Sequence, residues 1–263
     1  MDIIRSLITN RALIIEMVRR DLVGRYLGSA IGLFWAFINP LANLAIYTVI
    51  FSTVLQVRLG TDGSVYSFVE YLFCALLPWI TIQEVLSRSA GCILENASLV
   101  QKMRFPTEIL PINLALSGFV HQLIGTAIFF VVLVAAGDFK IGWLFVLPVA
   151  FILQLMLMVG LGWLVATVNV YYRDVGQLLG VTLTIWFWLT PIVYPKDKAP
   201  EFFRTLLQGN PMTHLVEIYR ASMLGAPMPS LEAWLILTAF SLTCFLAGLF
   251  ILGRHKAEFP DLL

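Results

Sequence analysis

The sequence predicts an all-α integral membrane protein of about six transmembrane helices, with an amphipathic helix ahead of them lying in the membrane interface. Three observations carry this reading. First, 59% of the 263 residues are hydrophobic and only 13% are charged, whereas a soluble domain carries about 25% charge. Second, six apolar segments are each about long enough to cross ~30 Å of hydrocarbon as a helix. Third, the lysines and arginines between those segments fall mostly on one side. A soluble chain would need a charged exterior that this composition does not supply.

Each element has its own signal. Over 3–22, helical spacing gathers Ile4, Leu7, Ile8, Ile14, Ile15, Val18 and Leu22 on one arc, with Arg5, Thr9, Glu16, Arg19 and Arg20 on the other. That pattern places an interface helix within 1–29. The spans follow at 31–55, 68–85, 109–136, 143–170, 178–194 and 234–252. With the N-terminal helix in the cytoplasm, one side collects Arg5, Arg11, Arg19, Arg20, Arg25, Arg88, Lys102, Arg104, Arg173, Arg254 and Lys256. The other side holds Arg58, Lys140, Lys196, Lys198, Arg204 and Arg220, so both ends of the chain are expected in the cytoplasm. Pro40, Pro78, Pro111 and Pro148 fall in or near spans and permit kinks. Asn39, Asn43, Asn113, His121, Gln122 and Gln154 put polar groups inside spans, where they need partners in a bundle or cavity.

Two connections are more than linkers. The segment 88–108 joins two spans through a helix-compatible stretch closed by Phe105-Pro106. A short helix there presents Leu99, Val100, Met103 and Phe105 to the cytosol amid Glu95, Asn96 and Lys102, which reads as a docking site for another protein. The segment 195–233 carries two apolar patches separated by Gly209-Asn210-Pro211. It fits two short re-entrant helices on the outer side, with a pair of surface amphipathic helices as the alternative.

Aromatic side chains form the remaining pattern. Tyr171 and Tyr172, followed by Arg173 and Asp174, end the fourth span as either an interfacial anchor or a constriction at the cytoplasmic mouth. Rings at mid-membrane depth, among them Tyr47, Trp186 and Trp188, offer stacking surfaces on which a sugar chain could slide. Trp35, Phe51 and Tyr194 extend the same candidate channel-lining set.

Machinery for chemistry is missing from the sequence. No G-x-x-x-x-G-K-[ST] stretch exists to cradle a nucleotide phosphate, so energy for any transport must come from elsewhere. His121, His214 and His255 are far apart, and Cys74, Cys92 and Cys244 are scattered apolar fillers, which together disfavour a metal centre. His214 and Glu217 lie at helical spacing but read more readily as a surface hydrogen bond than as an acid–base couple. No catalytic, cofactor-binding or metal-ligating residue is therefore expected, and near-neutral charge gives no sign of a nucleic-acid surface.

Four stretches, in order, resemble the membrane subunits of ABC-type polysaccharide exporters, particularly those for O-antigen. They are Arg20-Asp21-Leu22 through Arg25-Tyr26 with Gly32-Leu33-Phe34-Trp35-Ala36-Phe37 and Pro40; Phe105-Pro106; Asn169-Val170-Tyr171-Tyr172-Arg173-Asp174-Val175; and Phe187-Trp188-Leu189-Thr190-Pro191-Ile192-Val193-Tyr194 followed by Asn210-Pro211-Met212. The resemblance implies one permease domain over 1–263 in the bacterial inner membrane, working as a homodimer with two copies of a separate ATPase that binds ATP and magnesium. It implies that Glu95, Asn96, Leu99, Val100, Lys102, Met103 and Phe105 form the coupling helix seated on that ATPase. Tyr171 to Asp174 would form the cytoplasmic gate, and 195–233 the outer gate helices. The expected passenger is a lipid-linked polysaccharide; capsule, teichoic acid or a small drug are alternative cargoes. A membrane-embedded transferase is the distant alternative.

Overall fold

The structure is a computed structural model that describes residues 2–25, 65–102, 105–137, 144–196 and 199–263, with isolated helical positions from 38 to 50. The expected first span, with Asn39, Asn43, Trp35, Tyr47 and Phe51, and the coupling residue Met103 lie outside the described residues. Among the described residues there is no strand.

Two helices, α1 (Asp2–Thr9) and α2 (Arg11–Gly24), replace the single expected interface helix. The break is at Asn10, whose side-chain amide donates to the Ser6 carbonyl at 2.8 Å and so competes with the helix ladder. Four long apolar helices form the body: α3 (Val65–Glu95), α5 (Ile109–Ala136), α6 (Leu147–Tyr171, entered through a 3₁₀ turn at Leu144–Val146) and α10 (Leu231–His255). Each is long and apolar enough to cross a bilayer. Between them lie the shorter helices α4 (Ala97–Lys102), α7 (Val175–Trp188), α8 (Glu201–Gly209) and α9 (Pro211–Leu224), and α11 (Phe259–Leu262) follows α10.

Several expectations need correcting. The second span continues well past residue 85 to Glu95, because Ile82, Val85, Leu86, Ser89, Ala90 and Ile93 keep one buried helical stripe going. Residues 88–95 of the expected coupling loop therefore belong to α3. The fifth apolar segment is helical only to Trp188, and its 14 residues rise ~21 Å, short of a full crossing. Pro191 and Pro195 flank an irregular stretch there that cannot continue the helix. Pro111 and Pro148 sit in the first turns of α5 and α6, where a missing N–H costs nothing, so they start helices and kink none. Among the described residues, Pro78 alone of the four lies beyond the first turn of a helix.

The core joins α6 to α10 and α3. Lipid tails are as apolar as leucine, so helices in a bilayer gain from close backbone approach at small residues. A Cβ on Gly248 would stand 2.3 Å from the Gly160 carbonyl oxygen, which shows how closely α10 and α6 cross. Trp163 is fully buried, and its indole donates to the Glu108 carbonyl at 3.0 Å, fastening α6 to the start of α5. The segment 195–233 forms two short helices of opposite burial. Every residue of α9 except Glu217 and Leu224 is buried in the bundle, whereas α8 buries only Leu207 and leaves Phe202 and Leu206 exposed at the surface.

Candidate functional site

The bundle has two distinct ends, because the 25 residues of α10 carry the chain ~37 Å from one to the other. Residues of α2, α4 and α11 gather at the end where α3 and α10 finish. The tips of α8 and α9 gather with the start of α10 at the other.

At the first end, α2 is tied to α3 by a closed ring of alternating charge. Arg25 Nε donates to Asp21 Oδ2 at 3.2 Å, and its Nη1 stands 2.6 Å from Glu84 Oε1. Arg88 donates to both Asp21 oxygens and lies 3.6 Å from Glu84. Burial works to raise the Asp21 carboxyl, but hydrogen bonds and charge from Arg88, aided by Arg25, outweigh it and hold the group below its ordinary value. Beside this ring, Met17, Arg20, Glu95, Asn96, Leu99 and Asn113 line a cavity of about 770 Å³.

A short helix forms in this connection, α4, but its faces are distributed differently than expected. Asn96 starts it: its amide donates to the Cys92 carbonyl at 2.8 Å, and its own carbonyl accepts from Leu99 and Val100 N–H. Leu99 and Glu95 are exposed, whereas Val100 is buried and Phe105 packs against the core. Val100 and Phe105 therefore anchor the segment, contrary to the expectation that they face the cytosol, because a one-and-a-half-turn helix must bury one side to stay docked. The side chain of Lys102 lies outside the described residues.

Of the expected gate residues, Tyr171 points at the segment following α10. Its hydroxyl donates to the Glu258 carboxylate and lies 3.0 Å from His255 Nδ1. The Tyr171 hydroxyl, with His255 second, holds the Glu258 carboxyl below its ordinary value. Tyr172, Arg173 and Asp174 are exposed, and among the described residues no ion pair links Arg173 to Asp174.

At the other end a cavity of about 640 Å³ opens between α9, α10 and the 191–196 stretch. Lys196 Nζ stands 3.0 Å from Glu217 Oε1, and His214 Nδ1 lies 3.8 Å from Glu217 Oε2. The His214–Glu217 pair is thus a part of a cavity wall in which Lys196 is the nearer partner. Arg220, counted from sequence among the outer-side charges, is buried: its guanidinium lies 3.3 Å over the Tyr71 ring and donates to the Tyr71 and Ile192 carbonyls.

The described channel-lining aromatics have separate fates. Trp186 is partly buried, donates to Asn210 Oδ1 at 2.9 Å and meets Trp79 edge-on at 5.8 Å. Tyr194 donates to the Trp188 carbonyl at 2.8 Å. Trp188 itself keeps an exposed ring, 57% accessible, which leaves it open to lipid, a second chain or a passenger.

The family model for ABC-2 type transporters matches residues 12–224 of this chain. The chain belongs to the ABC-2 type transporter family. As an ABC-2 membrane subunit it is a multi-pass transport component rather than a catalyst, and membership implies a partnering ATPase subunit. The chain is 29% identical over 261 residues to the O-antigen export system permease protein RfbA of Myxococcus xanthus, covering 98% of each. It is 26% identical to an RfbA of Klebsiella pneumoniae over 95% of each chain, and 23% identical to the polysialic acid transport protein KpsM of Escherichia coli over 91% of each.

Three arrangements in this ABC-2 subunit were not read from the sequence, although it named Asn210, Gln122 and Gln154. The Asp21–Arg25–Glu84–Arg88 ring joins residues far apart in the chain, and only helical phase on α3 could have put Glu84 and Arg88 on one face. Asn210 is a hub: it accepts from Trp186 and from Met212 N–H, and donates to the Leu189 carbonyl and Thr190 Oγ1. Tyr219 joins a buried pair, Gln122 and Gln154, whose amides bond each other in both directions.

Proposed function

We propose that this chain is the permease half of an ATP-driven exporter of lipid-linked polysaccharide, with O-antigen as its cargo. The observation that carries the reading is similarity along nearly the whole chain to proteins named for O-antigen export, at higher identity than to those named for polysialic acid or capsule export. In this reading roughly six spans cross the bacterial inner membrane, the first built from 31–55 and the fifth from α7 with the stretch after it. Both ends of the chain lie in the cytosol, where two copies of an ATPase subunit bind ATP and magnesium.

A homodimer completes the passage. Support comes from α7, an apolar helix that buries only Leu183 and exposes Leu178, Val181, Ile185 and Trp188 along one side. A second copy of the chain supplies a partner for such a helix, and Trp188 then lies at the joint surface, where a sugar's C–H face can stack without fixed hydrogen bonds. On the cytosolic side, α4 with Glu95, Asn96 and Leu99 receives the ATPase stroke, and Tyr172 to Asp174 border the entrance.

Deleting the chain from its host should remove long-chain polymer from the cell surface and leave undelivered lipid-linked polymer inside, with restoration by the wild-type chain. Trp188→Ala should restore export only in part. Normal surface polymer in the deletion strain would refute the proposed cargo.

A further inference from the structure

The segment after α10 is bonded to both loops that border the coupling end. On one side, Lys256 Nζ stands 3.5 Å from Glu108 Oε1, a carboxylate only 1% exposed, and α11 packs against α4 with Phe259 fully buried. On the other, the Tyr171 hydroxyl reaches His255 and Glu258, and the Tyr171 ring meets the imidazole edge-on at 5.4 Å. Between the segment and α4 lies an open cleft of about 550 Å³, walled by Val100, Gln101, Phe105, Lys256, Ala257 and Pro260.

We infer that residues 255–263 form a third part of the surface on which the ATPase subunit docks, bridging α4 and the Tyr171–Asp174 loop so that the two move as one body. The inference rests on the ATPase partnership proposed above and assigns that partner an additional contact. Continuity is the first argument, since α11 and α4 are the two walls of one cleft. Exposed apolar groups give the second: Leu99, Tyr172 and Leu262 are 37%, 70% and 42% accessible, one on each of the three pieces. All three lie beyond the long apolar helices among Glu95, Arg173, Asp174, Glu258 and Asp261, a setting that suits a protein partner and not lipid tails. Geometry gives the third. A segment that merely closed α10 would need neither the Lys256–Glu108 pair nor the Tyr171 contact, whereas a bridge needs both.

Photo-crosslinking in the assembled transporter tests the docking. Gln101→benzoylphenylalanine and Leu262→benzoylphenylalanine should both give adducts with the ATPase subunit. Adducts from position 101 alone would overturn this inference and leave the ATPase partnership standing; adducts from neither would overturn both. For the bridge, Lys256→Ala with Glu258→Gln should lower polymer exported per ATP hydrolysed by about fivefold or more. Tyr171→Phe removes only the hydroxyl and serves if the double variant fails to insert. Unchanged export per ATP in the inserted variant would overturn the bridging role.

Discussion

Gly248→Ala tests whether the α6–α10 crossing sets the stability of the bundle. The added methyl would lie 2.3 Å from the Gly160 carbonyl oxygen and 3.2 Å from Gly160 Cα, both rigid backbone. An ordinary carbon–oxygen contact is near 3.3 Å, so the helices must part by roughly 1 Å. Overpacking of this kind costs about 1–3 kcal/mol, against a helix-propensity gain of about 1 kcal/mol for replacing glycine. The net expectation is a loss of up to about 2 kcal/mol. Gly180→Ala is the matched control: Gly180 lies in α7 with nothing within 4 Å of its would-be Cβ, so the same substitution should be neutral or stabilising by up to about 1 kcal/mol. Unfolding in mixed detergent micelles, followed by loss of helical circular dichroism, gives both values. Equal shifts of the same sign in the two variants would refute the argument, because propensity alone would then account for both.

Two further outcomes follow from the polar clusters. Asn210→Ala removes the N-cap of α9 and the bonds to Trp186, Leu189 and Thr190, so it should cost about 2–4 kcal/mol in the same unfolding assay, with Trp186→Phe costing about 1. Asp21 is held below its ordinary value, so the stabilisation it supplies is complete above about pH 4 and is lost as pH falls through the lowered value; protease nicking between α2 and the bundle should rise below that pH in wild type, while Asp21→Asn should show it already at neutral pH.

What the sequence disclosed depended on whether the signal was local. The third span is helical over the expected residues, since its apolar run is bounded by Glu108 and by Gly137, whose φ of 81° closes the helix in the left-handed region. The second was cut short because Arg88 and Glu95 look like loop charges, and only the pairing of Arg88 with Asp21 across the fold makes its charge acceptable within the helix. Polar residues inside spans announced that they needed partners, and Gln122 and Gln154 have them; that the partners are each other, 32 residues apart, is a property of how α5 and α6 pack. Gly209-Asn210-Pro211 was legible as a break between helices. Its second role, holding the end of α7, was not, because Trp186 and Leu189 approach Asn210 only through tertiary packing. Arg220 carries the same lesson: its charge was visible, but its seat over Tyr71 was set by a contact 149 residues away in sequence.

The Gln122–Gln154–Tyr219 cluster explains why α9 can lie inside the bundle and α8 cannot. A helix of α9's composition, with Thr213, His214, Glu217, Arg220 and Ser222, is too polar to be held in an apolar interior by packing alone. Its seat supplies polar partners to Glu217, Arg220 and Tyr219 at two levels, while the Thr213 and Ser222 hydroxyls stay buried without one among the described residues. Near the cavity, Lys196 meets Glu217 and the Tyr71 and Ile192 carbonyls meet Arg220. Deeper in, the Tyr219 hydroxyl closes the amide pair from α5 and α6. Hydrogen bonds between helices in a bilayer are worth about 0.6–2 kcal/mol each, so α9 is retained by a set of separate, modest bonds that can be exchanged one by one. The amphipathic α8 has no such set and rests with its apolar side against the bundle through Leu207.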